Sequence, residues 1–311
     1  MHEPMIPVSV IVPNYNSGTY LPESIKSINS GQWPAEILII DDCSTDGSLE
    51  LAIELQQQYS NIRLLKREVN GGIAEAKKLG IATATQDLIA FVDADDLIET
   101  NALKEAYEKM ITSNADICIW KLWRFDEEKQ WQHDANPTGF PKKGAEAVLL
   151  TLGVWRIHPL GVSRKYLYER AFQGFAENGT NADELLTRLA FSHAKQVVGC
   201  NKKYYYRSNP LSSTRALSAR SVTALRSHLW LLDFAHGYPG APIKQMARGA
   251  IGDAWFYWTK RRQIGLTSTL RELQNFLPRI YRFKGLWALL WRSPKHLIAL
   301  LILSVAAWVP V

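Results

Sequence analysis

The sequence predicts an α/β fold in which a mostly parallel sheet is covered by helices on both faces. Two observations support this class. Short apolar runs rich in β-branched residues alternate with segments of helical periodicity through the first hundred residues. The apolar runs are also continuous, as expected of strands that are buried on both faces of a parallel sheet.

The runs give the order of the predicted elements. The predicted strands are Val8–Val12, Glu36–Asp41, Ile62–Leu65 and Leu88–Val92, and the predicted helices are Leu21–Asn29, Ser48–Tyr59, Ala74–Ala82 and Asn101–Met110. Beyond residue 115 the alternation weakens to two further strand-like segments, Ile117–Phe125 and Lys195–Tyr206. From Ser218 onward the pattern is helical and rich in Trp.

The charge is distributed unevenly along the chain. Residues 201–311 carry seventeen Lys/Arg and three Asp/Glu, a net charge of +14, whereas residues 1–200 have a net charge of −8. An acidic region suits a bound cation, and a basic region suits an anionic partner. Two regions with different tasks are therefore expected.

The carboxyl-terminal segment has the composition of an element that lies on a membrane surface. Leu297–Val309 is a thirteen-residue run without charge, shorter than the roughly 20 residues that span a bilayer. The cations and tryptophans near it are Lys284, Arg292, Lys295, Trp287, Trp291 and Trp308. Such flanks predict an interfacial helix on an anionic membrane surface, and the alternative is a core helix.

The amino terminus and the cysteines bear on location. No basic segment followed by an apolar stretch opens the chain, so we expect no signal peptide. The three cysteines, an odd number without metal-ligand spacing, suit a reducing compartment. The predicted location is cytoplasmic, peripheral at the inner face of the cell membrane.

Polar clusters follow the predicted strands. They are Pro13–Asn16 after the first strand, Asp41–Gly47 after the second, Asn70–Gly72 after the third and Asp93–Asp96 after the fourth. Open parallel sheets bind ligands at the carboxyl ends of their strands, so these clusters are the candidate site.

Asp93-Ala94-Asp95-Asp96 places three carboxylates within four residues, and their repulsion is costly without a cation. Carboxylates are natural ligands of Mg²⁺ and Mn²⁺, which bridge to substrate phosphates. We therefore expect Mg²⁺ or Mn²⁺ on a diphosphate; the alternative is a solvated turn before the next helix. Leu97-Ile98 lacks the Thr of a dehalogenase D-x-D-x-T motif, and no G-x-G-x-x-G loop follows the first strand.

Three segments are much more specific in combination than any one of them is alone. They are Val8–Asn16 (VSVIVPNYN), Ile39–Ser48 (IIDDCSTDGS) and Phe91–Asp96 (FVDADD). In order and spacing they closely resemble family 2 glycosyltransferases of the GT-A fold, over roughly residues 6–215. The resemblance implies a GT-A glycosyltransferase domain over residues 1–215, followed by a basic, Trp-rich helical region over residues 216–311.

The resemblance also implies roles for single residues. The residues that it implies bind the nucleotide are Pro13, Tyr15, Asn16, Asp41, Lys77 and Asp93. Those that it implies bind the metal are Asp95 and Asp93. The family often has Arg-Asn where this chain has Lys77-Lys78, so Lys77 can supply charge but not a planar bidentate contact. Tyr204–Arg207 and Ser212–Thr214 resemble the strand and loop that close the acceptor side in enzymes of surface polysaccharide synthesis.

The implied reaction inverts the anomeric centre and needs a general base. The family shows Glu-Asp before an apolar helix, whereas the order here is Asp183-Glu184. The register places Glu184 at the position of the base, with Asp183 beside it, and either carboxylate can accept a proton. The alternative is that both acids only complement the helix dipole.

The sequence thus predicts a metal-dependent enzyme that moves one sugar from a nucleotide-sugar, a UDP-sugar, to a hydroxyl of a lipid-linked glycan or polysaccharide. Single transfer is favoured because the Gln-x-x-Arg-Trp motif and membrane spans of processive synthases are missing. One alternative is a nucleotide-sugar-binding module without turnover, against which Asp183 and Glu184 argue. The other is a basic nucleic-acid-binding protein, but no recognition signature is found, so no nucleic acid partner is expected.

Overall fold

The computed structural model describes residues 6–31, 33–126, 130–132, 139–173, 175, 180–209, 218–219, 221–281, 299–300 and 302–304. The chain divides into two compact units, each described by itself. The first comprises Met1–Thr151, Trp155–Asn178 and Leu186–Asn209, and the second comprises Leu152–Val154, Gly179–Leu185 and Pro210–Val311.

A mixed sheet occupies the first unit. Over the described residues its strands are β1 (Val8–Asn14), β2 (Glu36–Asp41), β3 (Ile62–Lys66), β4 (Leu88–Phe91), β5 (Leu97–Ile98), β6 (Ile117–Phe125), β7 (Gln130–Gln132), β8 (Gly161–Arg164) and β9 (Val197–Arg207). Their order is β3-β2-β1-β4-β8-β6-β9-β5, with β7 paired to β6. The first four strands are mutually parallel, whereas β8 is antiparallel to both β4 and β6.

Helices cover both faces of this sheet. Those in the first unit are α1 (Leu21–Ile28), α2 (Ser48–Gln58), α3 (Ile73–Thr83), α4 (Ala102–Ser113), α5 (Gly144–Leu149) and α6 (Lys165–Gln173). Side chains of α1, α2 and α4 share one core cluster with Val8, Val10 and Val12 of β1. On the opposite face, Gly80 of α3 lies so close to Ile11 that a larger side chain would clash. The predicted fold class, an α/β sheet with helices on both faces, is confirmed.

The predicted boundaries agree with the structure to within one or two residues, apart from α4, which continues to Ser113. The apolar runs succeed as signals because every residue of β2 is buried. The structure adds β5, β7 and β8, which are short strands in antiparallel pairs. They give the sheet its mixed character, and they lack the long apolar runs of the parallel strands.

A helix called α7 (Ala182–His193) begins in the second unit and continues in the first. The second unit then contains α8 (Ala224–Ala235), α9 (Ile243–Thr259), α10 (Arg261–Ile264) and α11 (Leu266–Ile280). The predicted helical carboxyl-terminal region is therefore confirmed. Among the described residues, no helix is both long and apolar enough to cross a membrane.

The predicted interfacial segment Leu297–Val309 lies largely outside the described residues, as do its flanking cations. Residues 299–300 and 302–304 are helical. Within them Leu300 and Leu303 are buried, whereas Ile302 is exposed. These few residues therefore have one buried and one exposed side.

Candidate active site

The ends of three parallel strands lie side by side at one edge of the sheet. Asn14 at the end of β1 pairs with Asp41 at the end of β2. On its other side β1 pairs with β4, and the N–H of Val92 donates to the carbonyl of Ile11 at 3.1 Å, one residue before Asp93. The structure thus brings together the clusters that the sequence predicts at this edge.

Asp41 is fully buried and joins the loops after β1 and β2. Its Oδ1 accepts a hydrogen bond from Asn14 Nδ2 at 2.9 Å, and its Oδ2 accepts the backbone N–H of Ser44 at 3.1 Å. The Ser44 hydroxyl accepts the N–H of Asn16 at 3.1 Å, and Asn16 Oδ1 accepts the N–H of Thr45 at 2.8 Å. Internal hydrogen bonds therefore fix the two loops against each other.

The other predicted nucleotide-binding residues lie around these loops. Tyr15 is exposed and Pro13 is half-buried. Lys77 is half-buried on α3, with its Nζ 5.2 Å from the ring centroid of Phe91, the last residue of β4. Lys77 is thus held beside the strand that leads to Asp93.

Asp42 has a structural role that its sequence position does not reveal. Its two carboxylate oxygens accept the backbone N–H groups of Gly71 at 3.0 Å and Gly72 at 2.6 Å. Arg67 forms an ion pair with the same carboxylate. Gly72 has a φ of 85°, which glycine adopts without strain, and α3 begins at the next residue. Asp42 therefore shapes the loop between β3 and α3.

Strand β9 holds the loop Asp93–Asp96, called here the aspartate loop. The Tyr204 hydroxyl accepts the N–H of Asp93 at 3.1 Å and donates to Asp96 Oδ2 at 2.7 Å. The second oxygen of Asp96 accepts the backbone N–H of Arg207 at 2.7 Å. Asp96 is buried, so these bonds satisfy a carboxyl group that water does not reach.

Asp95, one of the two predicted metal ligands, is also held from the end of β9 and from the segment just after it. Arg207 Nε donates to the carbonyl of Asp95 at 2.8 Å, and Asn209 Nδ2 donates to Asp95 Oδ2 at 2.9 Å. The guanidinium of Arg207 forms an ion pair with Glu23 of α1. Asp93 and Asp95 are both half-buried. The backbone and the side chain of Asp95 are thus fixed by the same short segment.

The crowding of carboxylates has an electrostatic consequence. Burial, followed by the negative charges of Asp93 and Asp95, raises the pKa of Asp96 well above its ordinary value. Burial and then the charges of Asp96 and Asp93 also raise the pKa of Tyr204. Tyr204 therefore stays protonated and donates to Asp96. A cation near Asp93 and Asp95 would relieve this repulsion.

The aspartate loop suits a divalent cation that shares its ligands with a substrate. In the described part of the chain, no group of three or more His, Cys, Asp or Glu side chains is arranged to hold a metal ion by itself. Mg²⁺, however, is usually bound by one or two carboxylates together with water and substrate phosphates. Asp93 and Asp95 supply that donor set, with Asn209 fixing one oxygen of Asp95. The residues therefore fit Mg²⁺ or Mn²⁺ on a diphosphate.

The two candidate bases lie in another part of the fold. Asp183 and Glu184 are in the first turn of α7, and both are half-buried. The turn begins at Asn181, which has a φ of 65° and whose carbonyl accepts the N–H of Glu184 at 3.2 Å. Both acids belong to the second unit, whereas the strand-end carboxylates belong to the first. Their role as base stays a prediction.

Tyr204, Arg207 and Asn209 contact the aspartate loop, a role that no motif in the sequence indicates. The sequence predicts an acceptor-side role for Tyr204–Arg207 and for Ser212–Thr214, and the latter segment lies outside the described residues. Two general signals point to the observed contacts. A buried tyrosine hydroxyl and a buried carboxylate each need a hydrogen-bond partner.

A sequence comparison decides the family. The model described as "Glycosyl transferase family 2" matches residues 9–170, a little more than half of the chain. The chain belongs to glycosyl transferase family 2. The match includes Asp41, Asp93 and Asp95, whereas Asp183-Glu184 and β9 follow it in this glycosyltransferase.

Curated bacterial relatives match part of this glycosyltransferase. Glycosyltransferase GlyG of Streptococcus pneumoniae serotype 4 is 36% identical over 121 residues, 39% of this chain and 40% of the relative. Poly(ribitol-phosphate) beta-glucosyltransferase of Bacillus spizizenii is 34% identical over 207 residues, 64% of this chain and 32% of the relative. Poly(ribitol-phosphate) beta-N-acetylglucosaminyltransferase TarS of Staphylococcus aureus is 29% identical over 210 residues, 65% of this chain and 35% of the relative. The chain thus spans well under half the length of each.

Solved structures agree with the fold of this glycosyltransferase. S. aureus TarS 1-349 in complex with UDP-GlcNAc matches with a TM-score of 0.66 at 19% sequence identity, covering 96% of this chain and 88% of that chain. The same protein in complex with UDP matches with a TM-score of 0.63 at 18% sequence identity, covering 96% of this chain and 90% of that chain. At such identity the likeness shows the fold, which is GT-A.

Replacing Tyr204 with Phe should lower the free energy of unfolding by about 1–3 kcal/mol, because Asp96 and the N–H of Asp93 both lose their hydroxyl partner. Chemical denaturation followed by circular dichroism measures this change. Tyr205→Phe is the matched control, since the Tyr205 hydroxyl makes no hydrogen bond among the described residues, and its effect should stay within about 0.5 kcal/mol. Equal stability of the two variants would contradict the assigned role of Tyr204.

Proposed function

We propose that this family 2 glycosyltransferase is an inverting enzyme that moves one sugar from a UDP-sugar to a hydroxyl of a lipid-linked glycan or polysaccharide. The meeting of Asp41, Asp93 and Asp95 at the carboxyl edge of the sheet is the observation that carries the proposal. The names of relatives support the donor class and transfer to a polymeric acceptor. TarS is a poly(ribitol-phosphate) beta-N-acetylglucosaminyltransferase, and one of its structures contains UDP-GlcNAc.

In this proposal the loops around Asp41 bind the nucleobase and ribose, with Pro13, Tyr15 and Asn16 on the same side. Hydrogen bonds within the protein fix these loops to each other. Little ordering is then required on binding, which favours affinity. Lys77 lies on the neighbouring helix α3 and offsets the negative charge of the diphosphate.

The diphosphate is assigned to the aspartate loop. Asp95, with Asp93, would hold Mg²⁺ or Mn²⁺, which when bound supplies positive charge opposite the leaving diphosphate. The chain's own part is to keep the two carboxylates in place, through Tyr204, Arg207 and Asn209. Such fixed groups stabilise charge without reorganising during the reaction.

The transfer step needs a base on the acceptor side. The acceptor oxygen attacks C1 of the sugar as the bond from C1 to the diphosphate oxygen breaks on the opposite face. The acceptor proton passes to a carboxylate, which we assign to Glu184 with Asp183 as the second candidate. The departing nucleoside diphosphate carries away the electron pair of the broken bond.

The second unit would place the enzyme at a membrane. Lys260, between α9 and α10, and Arg261-Arg262, at the start of α10, lie in the chain between the exposed side chains of Phe256 and Leu266. The guanidinium of Arg261 lies over the ring of Trp258, 4.1 Å from its centroid. Cations interleaved with exposed apolar side chains are typical of interfacial contact with anionic lipid.

Acidic groups on the same helices already have partners within the unit. Asp253 of α9 contacts His228 at 2.8 Å, and Glu272 of α11 binds Arg226 through two hydrogen bonds. The charge of Glu272 is therefore already compensated by a cation within the unit. The proposed location is peripheral, at the inner, cytoplasmic face of the cell membrane, where lipid-linked acceptors are within reach.

Asp95→Ala should abolish the Mn²⁺-dependent part of UDP binding, because it removes the proposed principal metal ligand. Isothermal titration calorimetry with UDP, with and without Mn²⁺, measures the effect. Asp87→Ala is the control, since Asp87 is exposed and lies just before β4, away from its carboxyl end. Unchanged, metal-stimulated binding by a folded Asp95→Ala variant would refute the assignment.

Replacing the true base by its amide should reduce turnover about 10²–10⁴-fold while UDP-sugar binding is retained. Glu184→Gln is expected to show this loss, and Asp183→Asn tests the second candidate. Glu169→Gln, at an exposed acid on α6, should behave as wild type. Wild-type transfer by both Glu184→Gln and Asp183→Asn would place the base elsewhere.

The double variant Arg261→Gln/Arg262→Gln should bind phosphatidylglycerol vesicles about 30-fold more weakly, since each cation near the surface contributes about 1 kcal/mol. Vesicle sedimentation measures binding, and added salt should weaken that of the wild type. Lys26→Gln/Lys109→Gln removes the same charge from exposed sites of the first unit and should have little effect. Equal retention of both double variants would exclude this surface.

A further inference from the structure

Asn209 is a buried amide that contacts a proposed metal ligand. Only 7% of the residue is exposed, and its Nδ2 donates to Oδ2 of Asp95 at 2.9 Å. Its own N–H donates to the carbonyl of Arg207 at 2.9 Å, and the N–H of Ser208 donates to the carbonyl of Phe125 at 2.7 Å. The backbone that carries the amide is therefore fixed at the ends of β6 and β9.

The chemistry of this donor matters as much as its position. An amide donates a hydrogen bond but carries no charge, so it fixes one oxygen of Asp95 without neutralising the carboxylate. The adjacent cation, Arg207, contacts other groups. Its Nε donates to the backbone carbonyl of Asp95, and its guanidinium pairs with Glu23. Asp95 is thus held from two sides, and the contact to its carboxylate comes from an uncharged donor.

We propose that Asn209 is a positioning residue for cation-dependent nucleotide binding, which holds Oδ2 of Asp95 and leaves Oδ1 for Mg²⁺ or Mn²⁺. This inference rests on the proposed function, because it requires Asp95 to be a metal ligand. Hydrogen bonds to a ligating carboxylate fix its orientation, and their loss lowers metal affinity about 10–100-fold.

Calorimetric titration with UDP in the presence and absence of Mn²⁺ tests the proposal. Asn209→Ala should weaken the Mn²⁺-dependent part of UDP affinity about 10–100-fold and leave metal-free UDP binding unchanged. Asn201→Ala, on the strand that precedes Asn209, is the matched control. Asn201 is exposed, and its backbone N–H, which Ala retains, contacts Glu105 at 2.9 Å. The control should bind UDP as the wild type does.

A second variant separates orientation of the carboxylate from general support of the fold. In the Asp95→Ala background, adding Asn209→Ala should cause no further loss of the metal-free binding that remains. A further loss there would overturn the proposal, and so would wild-type Mn²⁺-dependent binding by Asn209→Ala. If the wild type itself shows no Mn²⁺-dependent UDP binding, the proposed function fails first and this inference with it.

Discussion

The buried carboxyl group of Asp96 is the constraint on which the site depends. Burial and the charges of Asp93 and Asp95 oppose its ionisation, as the raised pKa indicates. A buried polar group without partners is costly, and here Tyr204 and the backbone of Arg207 supply them. The place of the aspartate loop therefore follows from the register of β9 in the sheet. The pairing of β9 in the sheet thus belongs to the fold and also positions the site.

The amino-terminal half of the site could be predicted from sequence because its signals are local. Each parallel strand is a buried apolar run, and the polar cluster that follows it must lie at the carboxyl edge. Order and spacing of the clusters around Asp41 and Asp93–Asp95 then indicated the family, which the comparison confirms. The outcome for Asp183-Glu184 differs, since neither the comparisons nor the structure tests their role.

The contacts from β9 could not be predicted, because they depend on pairings between distant parts of the chain. The antiparallel strand β8 lies between β4 and β6, and the pairing of β6 with β9 changes register between Ile119 and Lys121. Such a shift decides which residues of β9 meet the aspartate loop. The role of Asp42 could not be predicted from sequence either. It adjoins Asp41 and is also buried, yet it binds the loop before α3.

The distance along the chain between the aspartate loop and its partners has a consequence for biosynthesis. Asp96 and Tyr204 are 108 positions apart, and Asp95 and Asn209 are 114 apart. During translation, β1 to β4 leave the ribosome well before β9 does, at about 5–20 residues per second. Until β9 emerges, the carboxylates of the aspartate loop repel one another and Asp96 lacks its hydrogen-bond donors. The nascent chain can thus form its parallel strands early, but the aspartate loop gains its hydrogen-bond partners only when the last strand of the sheet has docked.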